Sequence, residues 1–402
     1  MDRQKDSVFR MNGINYLVPF ILITALFFLW GFARAILDVL NKHFQNEFNI
    51  TIAQSALIQV TTYLGYFLMA IPAGIFINRW GYRRGVVFGL IIFGIGALSF
   101  VPASGSGFYA YIVCLFIIGC GLTFLETAAN PYSAQLGSPA TASSRLNLSQ
   151  SFNGLGSLMA TFMVGQFLFS NSGHVAVPYI VLGVLVFIIA VVFSRVKLPE
   201  IEPETTSVES SEATSGLRGI RALFRGHPLF VLGLMALLAY EVAEISINSY
   251  FINFVTGQGW MNASVASMVL TLALAFFMVG RFVGSWIMRR VRAVRLLGWC
   301  ALGAVACMLL VLLNAGKLSM VALVAVYFFE AIMFPTIFSL AVTGLGSLTK
   351  SASSLLMMTP VGGCGFLLMG YVADHTNLVL PFVIPLLGYL VVLFYARRLE
   401  KK

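Results

Sequence analysis

Charge is scarce in this chain. Only 10% of its 402 residues are Asp, Glu, Lys or Arg, and acids number 15, against about 25% charged residues in an ordinary soluble domain. Such a deficit excludes a water-facing surface all round. Histidine and cysteine are also sparse. His43, His174, His227 and His375 fall at the ends of apolar runs, and Cys114, Cys120, Cys300, Cys307 and Cys364 fall inside them. Neither set has metal-ligand spacing, so the cysteines read as small packing residues and no metal or cofactor is expected. No nucleophile–base constellation is present either, which argues against an enzyme.

What is present is hydrocarbon. Apolar residues make up 59% of the chain and come in runs of about twenty, the length that crosses a hydrocarbon core of about 30 Å as a helix. The first run starts near Tyr16, is longer than a signal-peptide core, and lacks a small-residue cleavage site, so it reads as a first span. Twelve spans can be drawn at 17–41, 53–77, 85–102, 108–135, 147–170, 177–194, 228–255, 262–288, 296–314, 319–345, 351–373 and 378–396. The expected class is therefore an all-α membrane protein.

The net charge of +10 does not point to nucleic acid, because its distribution follows the membrane. All but four of the 25 Lys and Arg lie in alternate loops and at the termini; the exceptions are Lys42 and Lys317 in the opposite loops and Arg34 and Arg281 within spans. This asymmetry is the positive-inside signature and predicts both termini in the cytoplasm.

The longest polar stretch, 195–227, opens with Pro199-Glu200-Ile201-Glu202-Pro203-Glu204 and continues rich in Ser and Thr. It reads as a cytoplasmic linker between two bundles of six spans, 1–194 and 228–402. The halves echo each other: Glu126 and Pro131 match Glu330 and Pro335, and Gly74 and Arg79 match Gly284 and Arg289, each pair six spans apart. Repeats of this kind mark transporters built from two related bundles, with the ligand held near the midplane.

Five acids lie inside spans: Asp38, Glu126, Glu241, Glu244 and Glu330. An ionisable group near the bilayer centre costs about 2.5–3.5 kcal/mol on insertion scales, so a set of five suggests a wet cavity that binds substrate or protons. Arg34 precedes Asp38 by one helical turn on the same face. Two readings stand there, a permanently neutralised ion pair and a pair that substrate or a proton can switch. Glu126 stands five residues before Pro131, whose missing N–H frees a carbonyl one turn earlier; Asn130 lies beside it. In the fifth span Asn147, Gln150 and Asn153 recur every three residues on one face. Their amides suit hydroxyl-rich ligands, although helix–helix hydrogen bonding uses the same groups. In the seventh span Glu241, Glu244 and Asn248 share a face. Trp30 is the aromatic best placed to stack on a sugar ring, Gln59 adds an amide from the second span, and Arg281 reads as a structural charge.

These motifs together resemble the fucose:proton symporter family of the major facilitator superfamily. The resemblance covers nearly the whole chain. It rests on Phe28-Leu29-Trp30 running to Asp38, Leu57-Ile58-Gln59 with Tyr63, Gly65-Tyr66-Phe67 and Ile71-Pro72-Ala73-Gly74. The most specific segments are Leu125-Glu126-Thr127-Ala128-Ala129-Asn130-Pro131 and Arg145-Leu146-Asn147 with Gln150 and Asn153; Gly280-Arg281-Phe282 and Pro335 to Leu340 extend it. The resemblance implies the major facilitator fold and import of a monosaccharide with a proton by alternating access, in the inner membrane of a bacterium and as a monomer. It further implies that Asp38 and Glu126 are the coupling acids and that Gln150 and Asn153 meet sugar hydroxyls. The chain departs from the fucose carrier at Arg34, Ala35 and Leu37, where asparagines would surround the first-span acid, and at Glu241 and Glu330, which replace uncharged residues. An Arg in the cavity opens the door to a sugar acid. Sodium coupling and proton-driven efflux are the competing readings.

Overall fold

The computed structural model describes residues 10–11, 14–136, 142–169, 174–196, 217–288, 290–345, 348, 352 and 355–401. Among them ten helices are long and apolar enough to cross a membrane. A pairing of Arg10–Met11 with Ile14–Asn15 is the sole β-ladder among the described residues.

Contacts divide the chain into two units. Unit 1 comprises Met1–Phe48 and Thr61–Pro203, and unit 2 comprises Asn49–Val60 and Glu204–Lys402. Unit 1 holds α1 (Leu17–Phe48), most of α3 (Leu57–Trp80), α4 (Tyr82–Leu98), the short α5 (Phe100–Ala103), α6 (Phe108–Gln135), α7 (Ala142–Leu168) and α8 (Ala176–Arg195). Of the twelve expected spans, the fifth is α7, a full-length helix that does not meet the apolar criterion. Its N-terminal half carries Ser143, Ser144, Arg145, Asn147, Ser149, Gln150, Ser151 and Asn153, and these dilute the hydropathy that identifies its neighbours.

Backbones approach closely where α1 crosses α7. A Cβ on Gly31 would collide with the Asn153 carbonyl, and one on Gly156 with the Phe28 carbonyl. In a membrane, where apolar side chains gain little by leaving lipid, such small-residue packing is what holds helices together.

Unit 2 begins with α2 (Ile52–Ser55) and continues in α9 (Leu217–Gly226), α10 (Pro228–Gly257), α11 (Ala263–Ile287), α12 (Ala293–Leu312), α13 (Lys317–Glu330), α14 (Met333–Val342), α15 (Gly365–His375) and α16 (Val383–Glu400). The sequence-based division groups residues 49–60 with the first bundle, whereas their contacts lie in unit 2. Both oxygens of Asp374 accept backbone N–H bonds, from Ile52 at 3.0 Å and Ala53 at 2.8 Å. Thr51 and Gln54 complete a capping box at the same helix start, and Gly370 leaves room for the Ala53 backbone.

Most of the stretch read as a linker, 197–216, lies outside the described residues. Its end is helical, because Leu217, Ile220, Leu223 and Phe224 alternate at helical spacing with Arg218, Arg221 and Arg225; Leu223 is fully buried. The eleventh expected span is interrupted. A 3-10 turn over Thr359–Cys364 precedes α15, as Pro360 and the Gly362-Gly363 pair discourage a continuous α-helix.

The repeated Glu and Pro of the two halves behave differently. Helix α6 runs unbroken through Pro131. The matching helix breaks at Ala331 and Ile332, directly after Glu330, and restarts with Pro335 in its first turn. Pro335 has no N–H to give to the Ala331 carbonyl one turn earlier. Arg281 Nε donates to that carbonyl instead, at 3.4 Å, while its guanidinium lies 4.7 Å from the Phe277 ring centroid. The expected structural charge therefore has a definite partner in the broken helix.

Two outcomes follow for thermal unfolding of the detergent-purified protein. Gly156→Val should destabilise by about 1–3 kcal/mol, as overpacking does, whereas Gly74→Ala, with nothing within 4 Å of a new Cβ, should leave the midpoint unchanged. Arg281→Leu should cost about 1–3 kcal/mol by orphaning a buried carbonyl. Adding Pro335→Ala should restore part of that loss by supplying the missing N–H; strictly additive losses would show that the Arg281–Ala331 bond carries no stability.

Candidate functional site

The polar side chains gather in two groups, one in each unit. In unit 1, Trp30, Arg34 and Asp38 recur every four residues along α1 and so share a face. Arg34 and Asp38 are half-buried and Trp30 is buried. Arg34 Nε donates to the Tyr63 hydroxyl at 2.9 Å, and the guanidinium carbon lies 5.6 Å from the Tyr63 ring centroid. Tyr63 and Tyr66 come from α3, with ring centroids 5.9 Å apart. Glu126, from α6, is close enough to feel the charge of Arg34, and Tyr66 sits near both. Arg34 is thus flanked by its helical neighbour Asp38, by two phenols and by Glu126.

Spacing pointed to Arg34 and Asp38 but gave no role to Tyr63 and Tyr66. Besides their place in the family resemblance, their signal is that Gln59, Tyr63 and Tyr66 lie three to four residues apart, on one face of α3.

The amide face of α7 lies along α1. Asn153 Nδ2 donates to the Phe27 carbonyl at 3.1 Å, and the Ser157 hydroxyl to the Gly31 carbonyl at 3.2 Å. Ser149 Oγ is hydrogen-bonded to Thr24 Oγ1 at 3.2 Å and to Ser133 Oγ at 3.0 Å, joining α7 to α1 and α6. The amide nitrogen of Asn153 is therefore engaged in helix–helix bonding. Gln150 is half-buried one residue beyond that hydroxyl chain. The side chains of Asn130 and Asn147 lie outside the described residues.

Unit 2 gathers the remaining acids. On α10, Glu241 is 4% exposed, Asn248 is 8% exposed and Glu244 is half-buried. Asn248 Nδ2 donates to Glu244 Oε1 at 3.1 Å. Glu330, at the end of α13, is fully buried, and the Tyr389 hydroxyl of α16 donates to its Oε2. Tyr240 is within electrostatic reach of Glu241, Glu244, Glu330 and Arg281, which makes it the common neighbour of the group. Gln59 Nε2 donates to Ser249 Oγ at 2.9 Å, next to Asn248 on α10. Sequence spacing brought Glu241, Glu244 and Asn248 together; it gave no hint of Tyr389, 59 residues after Glu330.

Both groups can do the same kind of chemistry. Each sets carboxyls among phenols and amides in an apolar surround, where a neutral acid is less costly than an ion and a bound proton changes what a nearby cation or hydroxyl can bond to.

Comparison with known proteins gives these groups their family. The Major Facilitator Superfamily model matches residues 23–363. A glucose/galactose transporter of Brucella abortus biovar 1 (strain 9-941) is 34% identical, over 95% of this chain and 94% of its own. An L-fucose-proton symporter of Escherichia coli (strain K12) is 33% identical, over 95% of this chain and 93% of its own. Among solved structures, a Major Facilitator Superfamily transporter, FucP, in the outward conformation matches with a TM-score of 0.72 at 32% identity, covering 95% of this chain and 98% of that one. These relatives are transporters, not enzymes. With its all-helical fold, its multiple membrane-spanning helices and matches of this extent, the chain belongs to the major facilitator superfamily and, within it, to the family of the fucose:proton symporters.

Proposed function

We propose that this protein imports a neutral monosaccharide, a hexose or deoxyhexose, together with a proton by alternating access. The observation that carries the reading is the grouping of Arg34, Tyr63 and Glu126 in unit 1. Relatives named for glucose, galactose and fucose support the substrate class. A neutral ligand fits better than a sugar acid because Arg34 already has acidic company in Asp38 and Glu126, besides the Tyr63 hydroxyl.

Asp38 and Glu126 are the coupling acids in this account. While Glu126 is ionised it balances Arg34. Once Glu126 takes a proton, that attraction disappears and Arg34 turns to Asp38 or to a sugar hydroxyl. Sugar binding and proton binding then favour each other, which is what symport requires. Gln150 and the Asn153 amide oxygen supply hydrogen bonds to hydroxyls from unit 1, with Trp30 as an apolar wall. Unit 2 by itself offers Gln59, Glu241, Glu244 and Asn248 as candidates. The protein works as a monomer in the bacterial cytoplasmic membrane with both termini inside, in keeping with the Lys and Arg bias of its loops.

Proteoliposomes with an inward-directed proton gradient should accumulate labelled glucose, galactose or fucose, and collapsing the gradient should stop accumulation. Replacing sodium with choline at fixed pH should change nothing; a requirement for sodium would overturn proton coupling. Galacturonate should fail to compete with the neutral sugar, and strong competition would return the sugar-acid reading. Asp38→Asn should abolish gradient-driven uptake while sugar binding falls far less. Equal loss of both would make Asp38 a ligand or a structural residue.

A further inference from the structure

Glu330 stands apart from the other acids. It is 0% exposed. One oxygen, Oε2, accepts from the Tyr389 hydroxyl, and the other, Oε1, is buried without a hydrogen-bond partner among the described residues. A fully buried carboxylate held by a single neutral donor is costly, because its charge has left water for one hydrogen bond. A neutral acid at the same place needs only an acceptor for its own O–H. The unpartnered oxygen is therefore the natural seat of a proton.

The groups around it come from every neighbouring helix. Tyr240 and Glu244 lie on α10, Tyr389 on α16, and Cys307 on α12 is near enough to feel the carboxyl. Arg281, on α11, acts on Tyr240 and bonds to Ala331, one residue beyond Glu330. Glu244 is the charged neighbour that acts most directly on Glu330 and, unlike it, is partly exposed. Its partial exposure offers a way in and out for water. The helix break directly after Glu330 adds local freedom on its own chain.

We propose that Glu330 is a second proton-binding site, which takes up and gives up its proton through water on the side of Glu244 and carries it through the transport cycle. When the proton leaves, the O–H bond on Glu330 breaks as an O–H bond to a water molecule forms, and the reverse step reloads the carboxyl. The Tyr389 hydroxyl stays on Oε2 throughout and steadies the carboxylate left behind. The transport part of the proposal rests on the symport reading above; the proton site itself does not.

The test pairs infrared difference spectroscopy with proton counting on the reconstituted full-length protein. A pH step should give a protonated-carboxyl C=O band that is lost in Glu330→Gln. In Tyr389→Phe, which keeps the acid and removes its hydrogen bond, the band should persist at higher frequency. A pH-indicator dye inside the vesicles should count about half as many protons per sugar in Glu330→Gln as in the wild type. An unchanged band in folded Glu330→Gln, or no shift in Tyr389→Phe, overturns the proton site. A lost band with unchanged protons per sugar leaves Glu330 a structural acid and overturns its role in transport. A wild type that moves no protons with sugar overturns the symport reading and this transport role together, while the infrared result still judges the site.

Discussion

A charge inside hydrocarbon has to be matched by opposite charge, by hydrogen bonds or by water, and the polar chemistry of this protein is arranged around that cost. The case that matters most is Arg34. Its guanidinium cannot shed its proton, so the neighbourhood must accommodate a fixed positive charge. Tyr63 takes one N–H, the Tyr63 ring lies nearby, and Glu126 feels the charge from another helix. Asp38 follows one turn along the same face. A fixed cation among acids that can change protonation state is a place where a proton and a neutral hydroxyl-bearing ligand influence each other.

Unit 2 has a half-buried cation of its own in Arg281. Arg281 reaches the carbonyl that Pro335 leaves free, so its charge stabilises a helix break. Glu244 bonds to Asn248, and Glu330 is sealed against Tyr389. Both halves place Pro five residues after Glu, yet only the second helix breaks. The repeat in sequence thus hides a difference in structure, with a fixed cation near Glu126 in one unit and a nearly sealed carboxyl in the other.

Much of the fold was legible because hydropathy reports membrane crossing almost independently of tertiary context. Ten of the expected spans meet that criterion in the structure. The fifth and eleventh do not, for opposite reasons: α7 is helical but too polar, and the eleventh is interrupted by Pro360 and two glycines. The capture of residues 49–60 by Asp374 was invisible, since nothing in a sequence says which distant carboxylate will cap a helix. At the site, pairs on one helix were legible from 3.6-residue spacing, as with Arg34 and Asp38 or Glu244 and Asn248. Partners on separate helices, such as Tyr63 for Arg34 and Tyr389 for Glu330, were not. Tyrosine is at home in any apolar span, so its identity alone does not reveal which hydroxyls have found a charge.

The claim on which the rest depends is that Glu126 beside Arg34 links proton movement to sugar movement. Electrical recording on a solid-supported membrane tests it most directly. A pulse of glucose, galactose or fucose at equal pH on both sides should drive inward positive charge in the wild type, and Glu126→Gln should lose that current while still binding sugar. Electroneutral sugar uptake by the wild type, or an undiminished current in Glu126→Gln, would contradict the account.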